Sequence, residues 1–277
     1  NIKQLCQKLR DKYHSLDWKE DPCADILWRY DYHSRGKNPL IYAAFGRGEN
    51  KTLILGGVHP DELTPVHLSF RMAKYFQDNP KSYDSEKHTI IIAPLVNPDG
   101  LFSPKPMRTN GLVDPNRNFL TIDWYDKALA FWNKGQKRKE RYFPGFFPNT
   151  EPETVFQGKL IDDYMPDKIL TIHAPLGFVG YDGPGDNRER TSIEAVMEAK
   201  KFVQAIAKES ANYKVVDYSL FPGSLGNFAG KARNIRTVTI ELETETPKHA
   251  ESYFNRFLQG FILSVNYPRL QHRAHYL

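Results

Sequence analysis

The sequence predicts an α/β fold: a single domain in which a mixed, mostly parallel twisted sheet carries helices on both faces. Three observations predict it. Near-continuous apolar runs such as KTLILGGV (51–58), HTIIIAPLV (88–96) and DKILTIHA (167–174) have the composition of strands buried on both sides. Segments of helical length and periodicity alternate with them, the order that builds a parallel sheet through crossover connections. No linker or internal repeat divides the 277 residues, and 40% hydrophobic with 13% aromatic residues is ample for one large core.

Taken in chain order, residues 1–20 form an N-terminal helical extension, IKQLCQKLRDKYHSL, to a single domain that spans 1–277. DILWRYDYH (25–33) and PLIYAAFG (39–46) are strands joined by the hairpin turn SRGKN. The 51–58 strand ends at Gly56 and Gly57. TPVHLSFRMAKYFQDNP is then a helix, with Thr64 as N-cap, Pro65 at the first helical position and Asn79-Pro80 as its stop. After the 88–96 strand comes an irregular tract, 97–149, rich in Pro, Gly and Asn and holding one short helical piece. An irregular tract of that length usually carries function. Helix resumes in EPETVFQGKLIDDYM (151–165), and strand in 167–174. TSIEAVMEAKKFVQAIAKES (191–210) is the longest helix, YKVVDY (213–218) and IRTVTIEL (235–242) are strands, and ESYFNRFLQGFILSV (251–265) is the final helix.

Lysine and arginine number 38 against 33 acidic residues, a net charge of +5 that favours an anionic substrate or surface. Nucleic acid is not expected: the basic residues are scattered and no nucleic-acid module accompanies them. The one dense run, NKGQKRKERYF (133–143), lies in a Pro/Gly-flanked region and reads as a solvated loop. No apolar run approaches the length of a membrane span. The two cysteines, Cys6 and Cys23, are either one disulfide of an oxidising compartment or two unrelated thiols; neither has a zinc-ligand neighbour at the usual spacing.

In sheets of this kind, ligands bind beyond the carboxyl ends of the strands. The strand LILGGV is followed by His59 and Glu62, KILTI by His173, RTVTI by Glu241 and IIIAPLV by NPDG. Singly, each has a bland explanation as a turn residue or a core histidine. Jointly they place four chemically capable groups on one edge. Two histidines and a glutamate are a common zinc set where a fourth position stays open for water. Gly56 and Gly57 would allow the sharp turn that aims His59 and Glu62 at one point. His67, on the following helix, reads as a helix-face residue.

The motifs, in order, resemble those of the zinc carboxypeptidases of the carboxypeptidase A type, over roughly residues 28–242. GGVHPDE is similar to the first zinc motif of that family, NPDG and RTNGLVDPNRNF to its substrate-binding tract, and FPGFFPNTEPET to the turn before the next helix. TIHAP is similar to the second zinc motif, and TVTIELE to the strand that carries the catalytic glutamate. The resemblance implies one zinc ion per chain, ligated by His59, Glu62 and His173. It implies Glu241 as the general base, and Arg108 as the group that polarises the scissile carbonyl. It implies Asn116 and Arg117 as the grip on a terminal carboxylate, a task that suits a guanidinium fork, and Asp114 as the carboxylate orienting a ligating histidine.

TIHAPLGFVGYDGPG and FPGSLGNFAG resemble the bacterial murein peptide amidase branch more than the digestive enzymes. That branch implies hydrolysis of the γ-D-glutamyl–diaminopimelate bond in peptidoglycan-derived peptides. The digestive members' capping tyrosine is replaced by Phe228 or Ala229. Two alternatives remain: another metal-dependent amide hydrolase, either a general metallocarboxypeptidase or one of the aspartoacylase-like kind, and a non-catalytic peptide-binding protein. The paired cysteines and the absence of an initial Met favour the periplasm, with the cytoplasm as the alternative. Oligomeric state is open.

Overall fold

The computed structural model describes residues 1–103, 108–185 and 191–269. Helix α1 (Ile2–Ser15) is started by a capping box in which the Asn1 side chain and Gln4 satisfy each other's backbone amides. Its buried stripe, Leu5, Cys6, Leu9 and Tyr13, joins the main core, so the segment is an integral wall rather than an appendage. Cys6 and Cys23 form a disulfide. Closing a loop of this size contributes roughly 3 kcal/mol in the chain-entropy model.

Strands β1 (Arg29–His33) and β2 (Pro39–Gly46) form the expected hairpin. Next come β3 (Asn50–Leu55), α2 (Leu63–Asp78), β4 (His88–Ala93) and the one-turn α3 (Pro98–Phe102). The chain continues through α4 (Leu129–Lys134), α5 (Pro152–Tyr164), β5 (Lys168–His173) and β6 (Phe178–Gly183). It ends with α6 (Ile193–Glu209), β7 (Val215–Asp217), β8 (Arg236–Glu241) and α7 (Ala250–Asn266). The eight strands form one sheet in the order β1-β2-β4-β3-β5-β8-β6-β7. The four central strands run parallel, while the β1–β2 hairpin and β6 supply the antiparallel pairings.

Strand alternation sorts the core into two halves. Ile54, Ile90, Ile92, Leu170, Ile172, Val238 and Ile240 pack on one face with α1, α2, α6 and α7. Leu53, Leu55, Ile91, Ala93 and Ile169 pack on the other with Phe156, Leu160 and Ile161 of α5. The connections from β3 to β4 and from β4 to β5 therefore carry helices on opposite faces. That reversal opens a crevice at the carboxyl end of β3.

Four expectations need correction. Helix α2 begins at Leu63, with Glu62 in the N-cap position and without a side-chain cap; Thr64 instead donates its hydroxyl to the Thr244 carbonyl, and Pro65 lies at the third helical position. The capping carboxylate is engaged elsewhere, as described below. The 97–149 tract holds more than one helical piece, since a π-turn over Trp124–Ala128 leads into α4 and a 3₁₀ turn spans Glu140–Tyr142. Strand β6 was not expected, because Gly180 and Gly183 depress its strand propensity. The π-turn Gly226–Lys231 was hidden for the same reason, its two glycines reading as loop.

Candidate metal centre and active site

The β3 strand ends at Gly56 and Gly57, and Gly57 turns the chain with φ +59°, a conformation that L side chains rarely adopt. The turn brings His59 and Glu62 back over the sheet edge. His173 closes β5 and Glu241 closes β8, and the parallel register pairs these two residues directly. The buried cluster that results consists of His59, Glu62 and His173, with one donor atom from each within 4.8 Å of the others.

Glu62 sits between the two imidazoles. Its Oε1 is 2.9 Å from His59 Nδ1 and its Oε2 is 3.0 Å from His173 Nδ1, while the Ala174 amide donates to Oε2 at 3.2 Å. The outer nitrogens are also held: His59 Nε2 meets Asp114 Oδ1 at 2.9 Å and His173 Nε2 meets Thr171 Oγ1 at 3.2 Å. Fixing the outer nitrogen of each ring leaves Nδ1 as the metal-facing atom. Burial opposes the charge on Glu62, yet the imidazoles on both its oxygens outweigh burial and hold it well below the usual carboxylate range. Asp114, fully buried, is likewise held low, by His59 and Arg117 against its burial. For His59, burial and Arg108 push downward, and the two carboxylates win and raise it. Two imidazoles and a carboxylate, with the outer nitrogen of each ring already held, fit a zinc ion.

A cavity of about 560 Å³ opens over this cluster. It is lined by every expected site residue except Asp114, which lies behind His59. Arg108 donates through Nε to the Arg141 carbonyl at 2.8 Å and through Nη1 to Asp61 at 3.0 Å, so two of its donors only position it. The Asn116 side-chain oxygen accepts from the Leu225 amide at 2.8 Å, which leaves its NH₂ group for a ligand. Arg117 stacks over Phe221 at 4.2 Å, donates to the Asn116 carbonyl, and is buried with its Nε unbonded. Glu241 is half-buried; burial raises it above the ordinary glutamate range, and it accepts a long 3.4 Å bond from the Leu176 amide.

Sequence reasoning missed two parts of this cavity. The 133–143 run is not a detached solvated loop: Gly135, Gln136, Arg141 and Tyr142 line the cavity mouth. Asp182 of the unexpected strand β6 and Tyr218, just past β7, also line it. Phe228 and Ala229 are packed in the second core half rather than over the metal cluster. A second grouping, Glu20, His67 and Glu251, also gathers potential donors, but Arg71 takes both oxygens of Glu251.

An α/β sheet whose central carboxyl edge carries a His-Glu-His cluster, with a carboxylate beside it, defines a metallohydrolase-type centre. The family model of the zinc carboxypeptidases matches residues 33–267, and the chain belongs to that family. Zinc is the metal of the family, and the cluster described above is its candidate site. The chain is similar to the murein-tripeptide amidase MpaA of Escherichia coli O157, at 24% identity and TM-score 0.59, over 86% of this chain and 91% of that one. It is similar to the carboxypeptidase A of Helicoverpa armigera at 14% identity and TM-score 0.67, over 92% and 70%. At such identities these likenesses show the fold. YqgT of Bacillus subtilis (strain 168) is 28% identical over 111 residues, a match to 31% of this chain that spans 28% of that relative's length.

Proposed function

We propose that the protein is a zinc carboxypeptidase that hydrolyses an amide bond near the carboxyl end of peptidoglycan stem peptides, with the γ-D-Glu–meso-diaminopimelate bond as its target. The observation that carries the carboxypeptidase part is the buried Arg117 beside Asn116, within the same cavity as the metal cluster and Glu241. A buried guanidinium with an unbonded donor calls for an anion, and a planar carboxylate fits its fork. The likeness to a murein-tripeptide amidase, with near-complete coverage of both chains, supports the substrate. So does a cavity containing Arg108, Arg117 and Arg141.

In this reading His59, Glu62 and His173 hold the zinc, with Asp114 orienting His59. When bound, the zinc supplies Lewis acidity and lowers the pKa of water. Asn116 and Arg117 grip the terminal carboxylate and set the register of the scissile bond. Glu241 takes a proton from the attacking water and delivers it to the leaving amine; its raised pKa suits both tasks. The Arg108 donors left free by its contacts with Arg141 and Asp61 face the scissile carbonyl and stabilise the developing oxyanion. The Cys6–Cys23 disulfide supports a periplasmic location.

The test is mass spectrometry of a muropeptide mixture incubated with zinc-loaded protein, alongside Glu241→Gln. Release of diaminopimelate by the parent alone is the expected result. Intact muropeptides in the presence of one zinc per chain would overturn the substrate assignment.

A further inference from the structure

A second cavity, of about 460 Å³, adjoins the one over the metal cluster. The two share Arg108 and Arg141, but the second is lined by none of the metal cluster, Asn116, Arg117 or Glu241. Asp61 stands between them: its Oδ1 accepts from Arg108 at 3.0 Å and its Oδ2 from Arg141 at 3.3 Å. In the reading above, the released residue has its carboxylate at Arg117 and the scissile carbonyl faces Arg108. A cavity that reaches Arg108 without touching the Arg117 side therefore receives what precedes the scissile bond.

The wall of this second cavity is aromatic. Trp132 and Phe143 lie 4.8 Å apart between ring centroids, and Phe143 meets Phe146 edge-on at 5.1 Å. Phe146 is 70% exposed, and the backbone around it is held that way. Gly145 turns the chain with φ +85°, and the Asn118 side chain donates at 2.8 Å to the carbonyls of both Pro144 and Phe147. The Trp132 ring nitrogen donates to the Lys139 carbonyl at 2.9 Å. The Asp114 amide donates to the Phe143 carbonyl at 2.8 Å, so the wall is fixed to the segment that orients His59. Rings anchored around an open cavity are surface that a ligand would cover. Leu112 adds to the apolar lining, and Glu140 and Arg141 supply polar groups beside it.

We propose that this second cavity binds a hexopyranose ring carried on the amino end of the peptide substrate. The inference rests on the murein reading above and deepens it, since in a peptidoglycan stem peptide that ring is the N-acetylmuramoyl sugar. L-Alanine and γ-D-glutamate separate the sugar from the scissile bond. Two residues reach about 7 Å, which carries the chain from Arg108 into the adjoining cavity. A pyranose has a face of C–H groups and a rim of hydroxyls. The C–H face packs on aromatic rings, while the hydroxyls donate to a carboxylate and accept from a guanidinium, the two kinds of surface this lining offers. An apolar side chain would use the rings and leave Glu140 without a donor.

The experiment uses zinc-loaded protein and three substrates that share L-Ala-γ-D-Glu-diaminopimelate: one bearing N-acetylmuramic acid on its amino end, one free, and one bearing a 3-phenylpropanoyl group. The expected kcat/KM of the sugar-bearing peptide is about 10- to 50-fold above that of the other two. Phe146→Ala and Glu140→Gln, at positions that do not line the metal cavity, should each cut that advantage about fivefold or more and leave the free peptide within about twofold. Calorimetry with N-acetylmuramoyl-L-alanyl-D-glutamate and with L-alanyl-D-glutamate should show the same preference and the same losses. Equal kcat/KM for the sugar-bearing and free peptides overturns the inference and leaves the proposed function standing. A phenylpropanoyl peptide that outperforms the sugar also overturns it, and makes the cavity an apolar side-chain site. Sugar-dependent binding that Phe146→Ala weakens, without cleavage of any of the three peptides, would uphold the cavity and sink the murein hydrolysis.

Discussion

Strands β5 and β8 carry ionisable residues at both ends, and the two ends are built on opposite rules. At the amino end Lys168 pairs in register with Arg236; at the carboxyl end His173 pairs with Glu241. The Lys168 ammonium donates to Asn50 Oδ1 at 2.7 Å and to the carbonyls of Val265 and Tyr267 at 3.1 and 2.7 Å. Arg236 donates to the Pro268 carbonyl and stacks against Phe202 and Tyr267. These contacts pin the segment after α7 beneath the sheet. At the carboxyl end the groups face a cavity and stay incomplete. Asp114 Oδ2 and Arg117 Nε have no partner, and Glu241 has one long contact. Buried polar groups are costly unless paired. The amino end, whose cationic heads are engaged by carbonyls and rings, is therefore structural, and the carboxyl end carries the candidate metal and substrate groups.

The contrast can be broken most sharply at the metal cluster. His173→Ala is expected to remove zinc and abolish hydrolysis, whereas Glu241→Gln should keep one zinc per chain and lose kcat by about 10²- to 10⁴-fold. Metal analysis beside kinetics separates the two, and a His173→Ala chain that still held stoichiometric zinc would remove it from the ligand set.

At the opposite end, Lys168→Met should lower stability by about 1–3 kcal/mol, since three acceptors lose their donor, and leave kcat/KM unchanged. Burial, aided by Arg236, holds the Lys168 ammonium down at about 7. An unfolded lysine titrates near 10.4. Between those values the unfolded chain binds more protons, so this group makes stability rise with pH across that window; its penalty is fully present below about 7. Denaturation midpoints from pH 6 to 10 should show that slope in the parent and a shallower one in Lys168→Met. Identical slopes would refute the assignment.

The smallest expected effect concerns the 133–143 run, where Lys134, Lys137, Arg138 and Lys139 adjoin in sequence the cavity-lining Gly135, Gln136 and Arg141. Raising salt from about 0.05 to 0.5 M should lower kcat/KM for an anionic peptide a few-fold through screening. A rate indifferent to salt would return this run to the status of a solvated surface.

The pattern of the chain revealed much of this architecture. Continuous apolar runs identified β3, β4 and β5, because strands buried on both faces need no polar alternation. The polar residues at the carboxyl ends of β3, β5 and β8 marked His59, Glu62, His173 and Glu241 as candidates. Strand β6 escaped because two glycines and a bulge break its pattern. The true start of α2 escaped because Glu62 occupies the cap position while its carboxylate serves the two histidines.

The sequence by itself determined the α/β class, the order of the central strands and helices, and the residue types gathered on the carboxyl edge. These follow from local periodicity and from motifs a few residues long. Only the tertiary structure decided that Cys6 and Cys23 are joined and that Asp61 tethers both Arg108 and Arg141. It alone brought the 133–143 run to the cavity mouth and Asp182 to its lining. The physical reason is range. Periodicity and turn chemistry act over a few residues, whereas each of these placements depends on strand register, a bulge or a crossover that joins segments far apart in the chain.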